Sequence, residues 1–250
     1  MNFTRGIHKL AWIELKLFLR EPIAAFFTLA FPLMMLFLFG SIYGNKPSSF
    51  FGGYGAVDVS VPAYTAMIIG SSGLLSLAIG ISSYRETGVL KRLKATPIRP
   101  AKILAAQVTV IYLMTVLGMV LLIAAGRSVY GLRFGGSLAN MFAAFTLSAA
   151  SIFAIGFVLA SLSPSARVAQ VAGMVIFYPM IFLSGATIPR ETLPEGVRRF
   201  SQVLPLTHVV TLLRGLWAGG AWDNYIWEVI VLIAVAVVAA TVSSRTFRWE

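Results

Sequence analysis

Six long apolar stretches, at residues 23–43, 62–83, 103–126, 138–162, 168–184 and 225–244, constrain this chain more than anything else in it. They carry no charged side chain except Glu228, close to the start of the last. A helix needs about 20 apolar residues to cross the hydrocarbon core of a bilayer. Charged residues make up 12% of the chain, against about 25% in a soluble domain, and 58% of it is hydrophobic. The reading is an all-α integral membrane fold, one domain over 1–250 with six transmembrane helices. A further apolar run, 206–217, is short and carries His208 and Arg214, so it fits a re-entrant or interfacial helix better than a seventh crossing.

The basic residues orient the bundle. Thirteen of the twenty Lys and Arg lie before the first stretch, after the second and fourth, and in the tail. The positive-inside rule therefore places both termini in the cytoplasm, and the expected location is the plasma (inner) membrane, as a multi-pass protein. The formal net charge of +11 belongs to these connections, so nucleic acid is not expected as a partner. No cleaved signal peptide is expected, because no small-residue cleavage site follows an apolar core. On a helical projection of 4–20, Arg5, Lys9, Lys16 and Arg20 form one stripe opposite Ile7, Leu10, Leu17 and Phe18, the pattern of an amphipathic helix on the membrane surface. Glu14 sits within the apolar face and calls for a cation, most naturally from the basic loop after the second stretch.

With no cysteine, disulfides, thiolate nucleophiles and cysteine metal sites are excluded. His8 and His208 fall on opposite sides of the membrane, so no metal centre or catalytic constellation is expected. The chain also lacks a G-x-x-x-x-G-K-[ST] phosphate loop, and the glycines of Gly40-Ser-Ile-Tyr-Gly-Asn-Lys46 are wrongly spaced for one. It is read as a non-enzyme; any ATP it uses, with Mg, is bound and hydrolysed by another chain.

The loop Arg85-Glu86-x-Gly88-x-Leu90-x-x-Leu93-x-x-Thr96-Pro97, followed by Arg99-Pro100, resembles the cytoplasmic signature of the ABC-2 type transporter permeases. A second match lies further on: Phe182-x-Ser184-Gly185-x-x-x-Pro189, then Leu193-Pro194, Leu204-Pro205 and Arg214. Leu183-Ser184-Gly185 is no ATPase signature, since it lies in a membrane segment. The resemblance implies the permease subunit of an ATP-binding cassette exporter for drugs, lipids or glycans. It would pair with a second copy or a related permease and be driven by two cytoplasmic ATPase subunits. It also implies a coupling helix at 85–96, packed with the N-terminal helix and docked on the ATPase. Its residues would be Arg85, Glu86, Gly88, Val89, Leu90, Arg92 and Leu93, with Pro97 as the stop and Glu14 beside it. A basic loop that merely obeyed the positive-inside rule would need the cations, but not Glu86, Gly88, Leu90 and Leu93.

In such proteins the second and fifth spans border the path. Here the second carries a hydroxyl stripe that includes Ser72 and Ser76, with Gly73 and Gly80 beside it. The fifth carries Met174, Phe177, Tyr178 and Ile181 at i, i+3, i+4 and i+7. A mildly polar face opposite a methionine and aromatic face suits an amphiphilic substrate, although helix packing uses the same small and hydroxyl residues. The outer segment 189–217 would form re-entrant helices and a gate, with Ser184, Gly185, Pro189, Pro194, Pro205 and Arg214. Arg214 then calls for an acid such as Glu191, Glu195 or Glu228. The rival readings are a secondary transporter or channel uncoupled from ATP, which requires ionisable groups at mid-membrane, and a membrane enzyme, which requires converging catalytic groups.

Overall fold

The computed structural model describes Lys16 and residues 22–89, 100–187 and 193–246. The expected amphipathic helix at 4–20 (apart from Lys16), Glu14, Leu90, Arg92, Leu93, Pro97 and Pro189 lie outside the described residues. Among the described residues every regular element is helical. Six helices are long and apolar enough to cross a membrane: α1 Phe26–Tyr43, α2 Ala56–Glu86, α3 Pro100–Tyr130, α4 Leu138–Leu162, α5 Ala166–Leu183 and α8 Ile226–Thr246. Between α5 and α8 lie two shorter helices, α6 Glu195–Ser201 and α7 Pro205–Trp217.

These helices are arranged around α2. The apolar window of α2 is 94% buried, whereas that of α8 is 11% buried, because α2 packs against α1, α3, α4, α5 and α7. Leu113 and Val120 of α3, Val171 and Val175 of α5, and Ile233 and Val237 of α8 are exposed. Apolar side chains on the outside of a membrane bundle are what lipid tails accommodate at no cost.

Close approach to α2 and α1 is made by glycine meeting carbonyl oxygen. Pro32 has no N–H for the carbonyl of Thr28, four residues before it. The helix is π-wound over Phe26–Ala30, and Gly118 of α3 sits where a Cβ would come within 3.0 Å of the Thr28 oxygen. In α2 a second π-wound segment covers Ser72–Leu77, which alters the regular hydrogen-bond register. A Cβ on Gly156 of α4 would overlap the carbonyl of Gly73, and one on Gly173 of α5 would overlap that of Leu74. Without side chains at those positions, backbones approach to the distance where Cα–H groups meet carbonyl oxygens.

α2 starts at Ala56, earlier than the charge-free run beginning at 62, and so takes in Asp58. The carboxylate is buried and accepts N–H groups from Asn45 (Nδ2, 2.9 Å), Arg133 (backbone, 2.8 Å) and Gly55 (backbone, 3.3 Å). The Asn45 Oδ1 in turn accepts the backbone N–H groups of Val57 and Asp58, both at 3.1 Å. It occupies the place where a capping serine at Gly55 would put its hydroxyl, and a Cβ at Gly55 would overlap it. Replacing Asn45 with Ala therefore removes a helix cap and one donor to Asp58. We expect a loss of about 1–2 kcal/mol, read as a lower thermal midpoint of the purified protein; an unchanged midpoint would remove Asn45 from the folding of α2.

Candidate coupling site and gate

Arg85 and Glu86 form the last turn of α2, beside the turn that joins α4 to α5. A helix C-terminus leaves carbonyls without partners and an N-terminus leaves N–H groups, so the α4–α5 turn presents both kinds side by side. The Arg85 guanidinium donates to the carbonyl of Ser161 at 3.2 Å and to that of Ser163. The Glu86 carboxylate accepts the N–H of Ala166, the first residue of α5, at 2.8 Å. Ser165 completes the cap, its hydroxyl accepting the N–H of Val168 at 3.3 Å. Adjacent opposite charges thus meet the negative end of one helix dipole and the positive end of the next. The hydroxyls of Ser161 and Thr246, 2.8 Å apart, bring the end of α8 to the same place.

This geometry gives Glu86 a backbone N–H as partner. Gly88 has φ +67°, and among the described residues nothing lies within 4 Å of where its Cβ would stand. Its N–H donates to the carbonyl of Arg85 at 3.1 Å, so it ends α2 in the left-handed conformation that glycine adopts without strain. Val89, partly buried, follows this stop.

Of the residues expected along a path, Ser72, Phe177 and Ile181 are buried within this chain. The hydroxyls of Ser72 and Thr115 in α3 are bonded at 2.8 Å, and Phe177 lies against Gly70 and the ring of Phe27. Ser76 is buried and its hydroxyl has no hydrogen-bond partner among the described residues. Met174 and Tyr178 are partly exposed, with the Tyr178 ring 5.9 Å from that of Phe27.

At the opposite end of the bundle the structure brings the two parts of the expected gate together. Arg214 of α7 donates to the carbonyl of Gly185 at 2.8 Å. Gly185 has φ +87° and lies in the turn after α5. Ser184 is buried and its hydroxyl accepts the N–H of Ala186 at 3.3 Å. Pro194 precedes α6 as its cap, and Pro205 opens α7, where a missing N–H costs nothing. Of the acids expected near Arg214, Glu195 pairs with Arg199 at 2.5 Å, and Glu191 lies outside the described residues. His208 is buried and donates from Nε2 to the carbonyl of Gln202 at 2.8 Å, a structural role.

Sequence reasoning passed over Asn45, Asp58 and the α4–α5 turn. The available signals were a charge just ahead of an apolar run and Ser163-Pro-Ser165 between two spans, but neither names its partner.

The family described as ABC-2 type transporter matches residues 6–217. Among curated proteins the chain is similar to "Inner membrane transport permease YhhJ" of Escherichia coli (strain K12), 24% identical over 209 residues, covering 82% of this chain and 53% of the relative. It is also similar to "Probable multidrug ABC transporter permease YbhR" of the same strain, 24% identical over 187 residues, covering 75% and 50%. "Nodulation protein J" of Rhizobium leguminosarum bv. viciae is 32% identical over 94 residues, covering 38% and 36%. The chain spans about half the length of the first two.

Proposed function

This chain belongs to the ABC-2 type transporter family, and on that premise we propose that it is the permease subunit of an ATP-binding cassette exporter, moving an amphiphilic substrate with energy from separate cytoplasmic ATPase chains. The observation that carries the reading is the junction of Arg85 and Glu86 with both ends of the α4–α5 turn. A force applied at the loop after Gly88 reaches α4 and α5 through charge-assisted bonds to their backbones, and such bonds hold direction better than sliding apolar contacts. The loop 90–97, with Leu90, Arg92 and Leu93, supplies the docking surface for the ATPase, which binds the ATP and Mg. Both termini lie in the cytoplasm on this reading, and two permeases pair, with two ATPase subunits beneath them.

Met174 and Tyr178, the partly exposed members of the α5 set, face the path, while Ser72, Ser76, Phe177 and Ile181 support them from within the subunit. The turn Ser184–Gly185, held by Arg214, forms part of the outer gate with Pro189, Pro194 and Pro205. The similarity to a relative named as a probable multidrug permease supports a drug-like amphiphile as the substrate class.

Copurification tests the partnership. Tagged wild-type chain is expected to retain an ABC ATPase chain through mild purification, and Leu93→Asp, which places a charge in an apolar contact, to lose it. Equal retention by Leu93→Asp and wild type would remove the loop from docking.

A further inference from the structure

We propose that the end of the bundle opposite Arg85 and Glu86 holds a binding site for an anionic amphiphile, a molecule joining a flat apolar ring system to a sulfonate, carboxylate or phosphate. A cavity of about 910 Å³ lies there within the single chain, in the size range of small-molecule sites, about 300–1,000 Å³. Loop 48–54, the first turns of α2, the link between α3 and α4, and α7 wall it.

The apolar part of the site is aromatic. Phe51, Tyr54, Phe134, Trp217 and Tyr225 all line it, and ring faces bind flat apolar bodies through stacked or edge-on contacts. These rings are set in place beforehand. Trp217 meets Phe134 edge to face with centroids 4.7 Å apart, and its Nε1 donates to the carbonyl of Arg133 at 2.9 Å. Tyr225 lies over Gly215 and Gly220, where a Cβ would overlap its ring. Loop 48–54 is closed by its own bonds, Ser48 N–H to the Tyr54 carbonyl at 3.1 Å and Gly53 N–H to the Ser48 carbonyl at 2.9 Å.

The charge on the wall selects an anion. Asp58 is the one acid among the lining residues, and both its oxygens already accept N–H groups. Arg133 is held through its backbone, whose N–H goes to Asp58 and whose carbonyl goes to Trp217. Its side chain is exposed and makes no ion pair among the described residues. A guanidinium carried on a backbone held in this wall attracts a negative group and can bind a carboxylate, sulfonate or phosphate in bidentate fashion.

The site goes beyond the permease reading and is tested on the chain alone, without ATPase or transport, so its failure leaves that reading untouched. Protein in phosphatidylcholine nanodiscs is titrated with 1-pyrenesulfonate at high salt, and empty discs are subtracted. Saturable binding is expected, weakened at least about tenfold by Arg133→Glu and weakened also by Val59→Trp, which intrudes on the cavity. Arg133→Glu keeps the backbone bonds of residue 133, so it tests the site even where the larger side chain at 59 disturbs folding. The pyrene trimethylammonium cation is expected to bind wild type less tightly than the sulfonate and to gain on Arg133→Glu. Phosphatidylglycerol in the disc that displaces the probe identifies a lipid headgroup as occupant; undiminished probe binding identifies a free solute, and either supports the site. Binding no greater than to empty discs, or equal affinity of wild type and Arg133→Glu for both probes, overturns it.

Discussion

Gly156→Leu is expected to abolish the folded subunit. The Cβ alone would overlap the carbonyl oxygen of Gly73 in α2, and neither partner is a side chain that can rotate away. α4 and α2 would have to separate along their contact, and α2 is the helix on which the others pack. Core overpacking typically costs about 1–3 kcal/mol; with backbone on both sides we expect at least about 3 kcal/mol, enough to prevent accumulation of a marginally stable protein. Gly196→Leu makes a suitable control, because among the described residues nothing lies within 4 Å of its would-be Cβ. Monodisperse protein at wild-type yield after detergent extraction of Gly156→Leu would show that the α2–α4 contact is not needed.

Arg85→Ala is expected to leave a folded protein that binds its ATPase and allows hydrolysis, while transport falls at least about tenfold. The substitution removes two charge-assisted bonds to carbonyls at the end of α4 and in the turn after it, each worth about 1.5–3 kcal/mol, without touching the loop after Gly88. Glu86→Gln should be milder, because the amide oxygen can still accept the N–H of Ala166 and only the favourable charge at the start of α5 is lost. The pair is read from hydrolysis and transport rates of the reconstituted complex, with Lys46→Ala at the opposite end as control. Wild-type transport by Arg85→Ala would show that motion reaches α4 and α5 by another route.

The six spans were legible because a bilayer imposes length and absence of charge on each segment separately, so no long-range information was required. Leu138–Leu162 is the clearest case, since Arg133 and Arg167 bound it on both sides. The start of α2 was missed for the complementary reason. Asp58 reads as a span boundary, and only Asn45 and the backbone of Arg133, both far along the chain, make its burial tolerable.

Arg85 and Glu86 were recognisable as a motif, but their partners were not. Opposite charges next to each other at a helix end suggest ionic partners, whereas the groups they meet are backbone atoms of residues 161–166, where Ser163-Pro-Ser165 marks a turn but does not name its partner. Gly73 was visible beside the hydroxyl stripe of α2, yet its close contact with Gly156 depends on which helices become neighbours.

Reconstitution of the permease with its copurifying ATPase in sealed vesicles tests the central claim most directly, with uptake of a fluorescent amphiphile as the readout. The account predicts uptake that requires both chains, ATP and Mg, and that stops when the ATPase can bind ATP but not hydrolyse it. Uptake by the permease alone, driven by a proton or sodium gradient and indifferent to ATP, would contradict it.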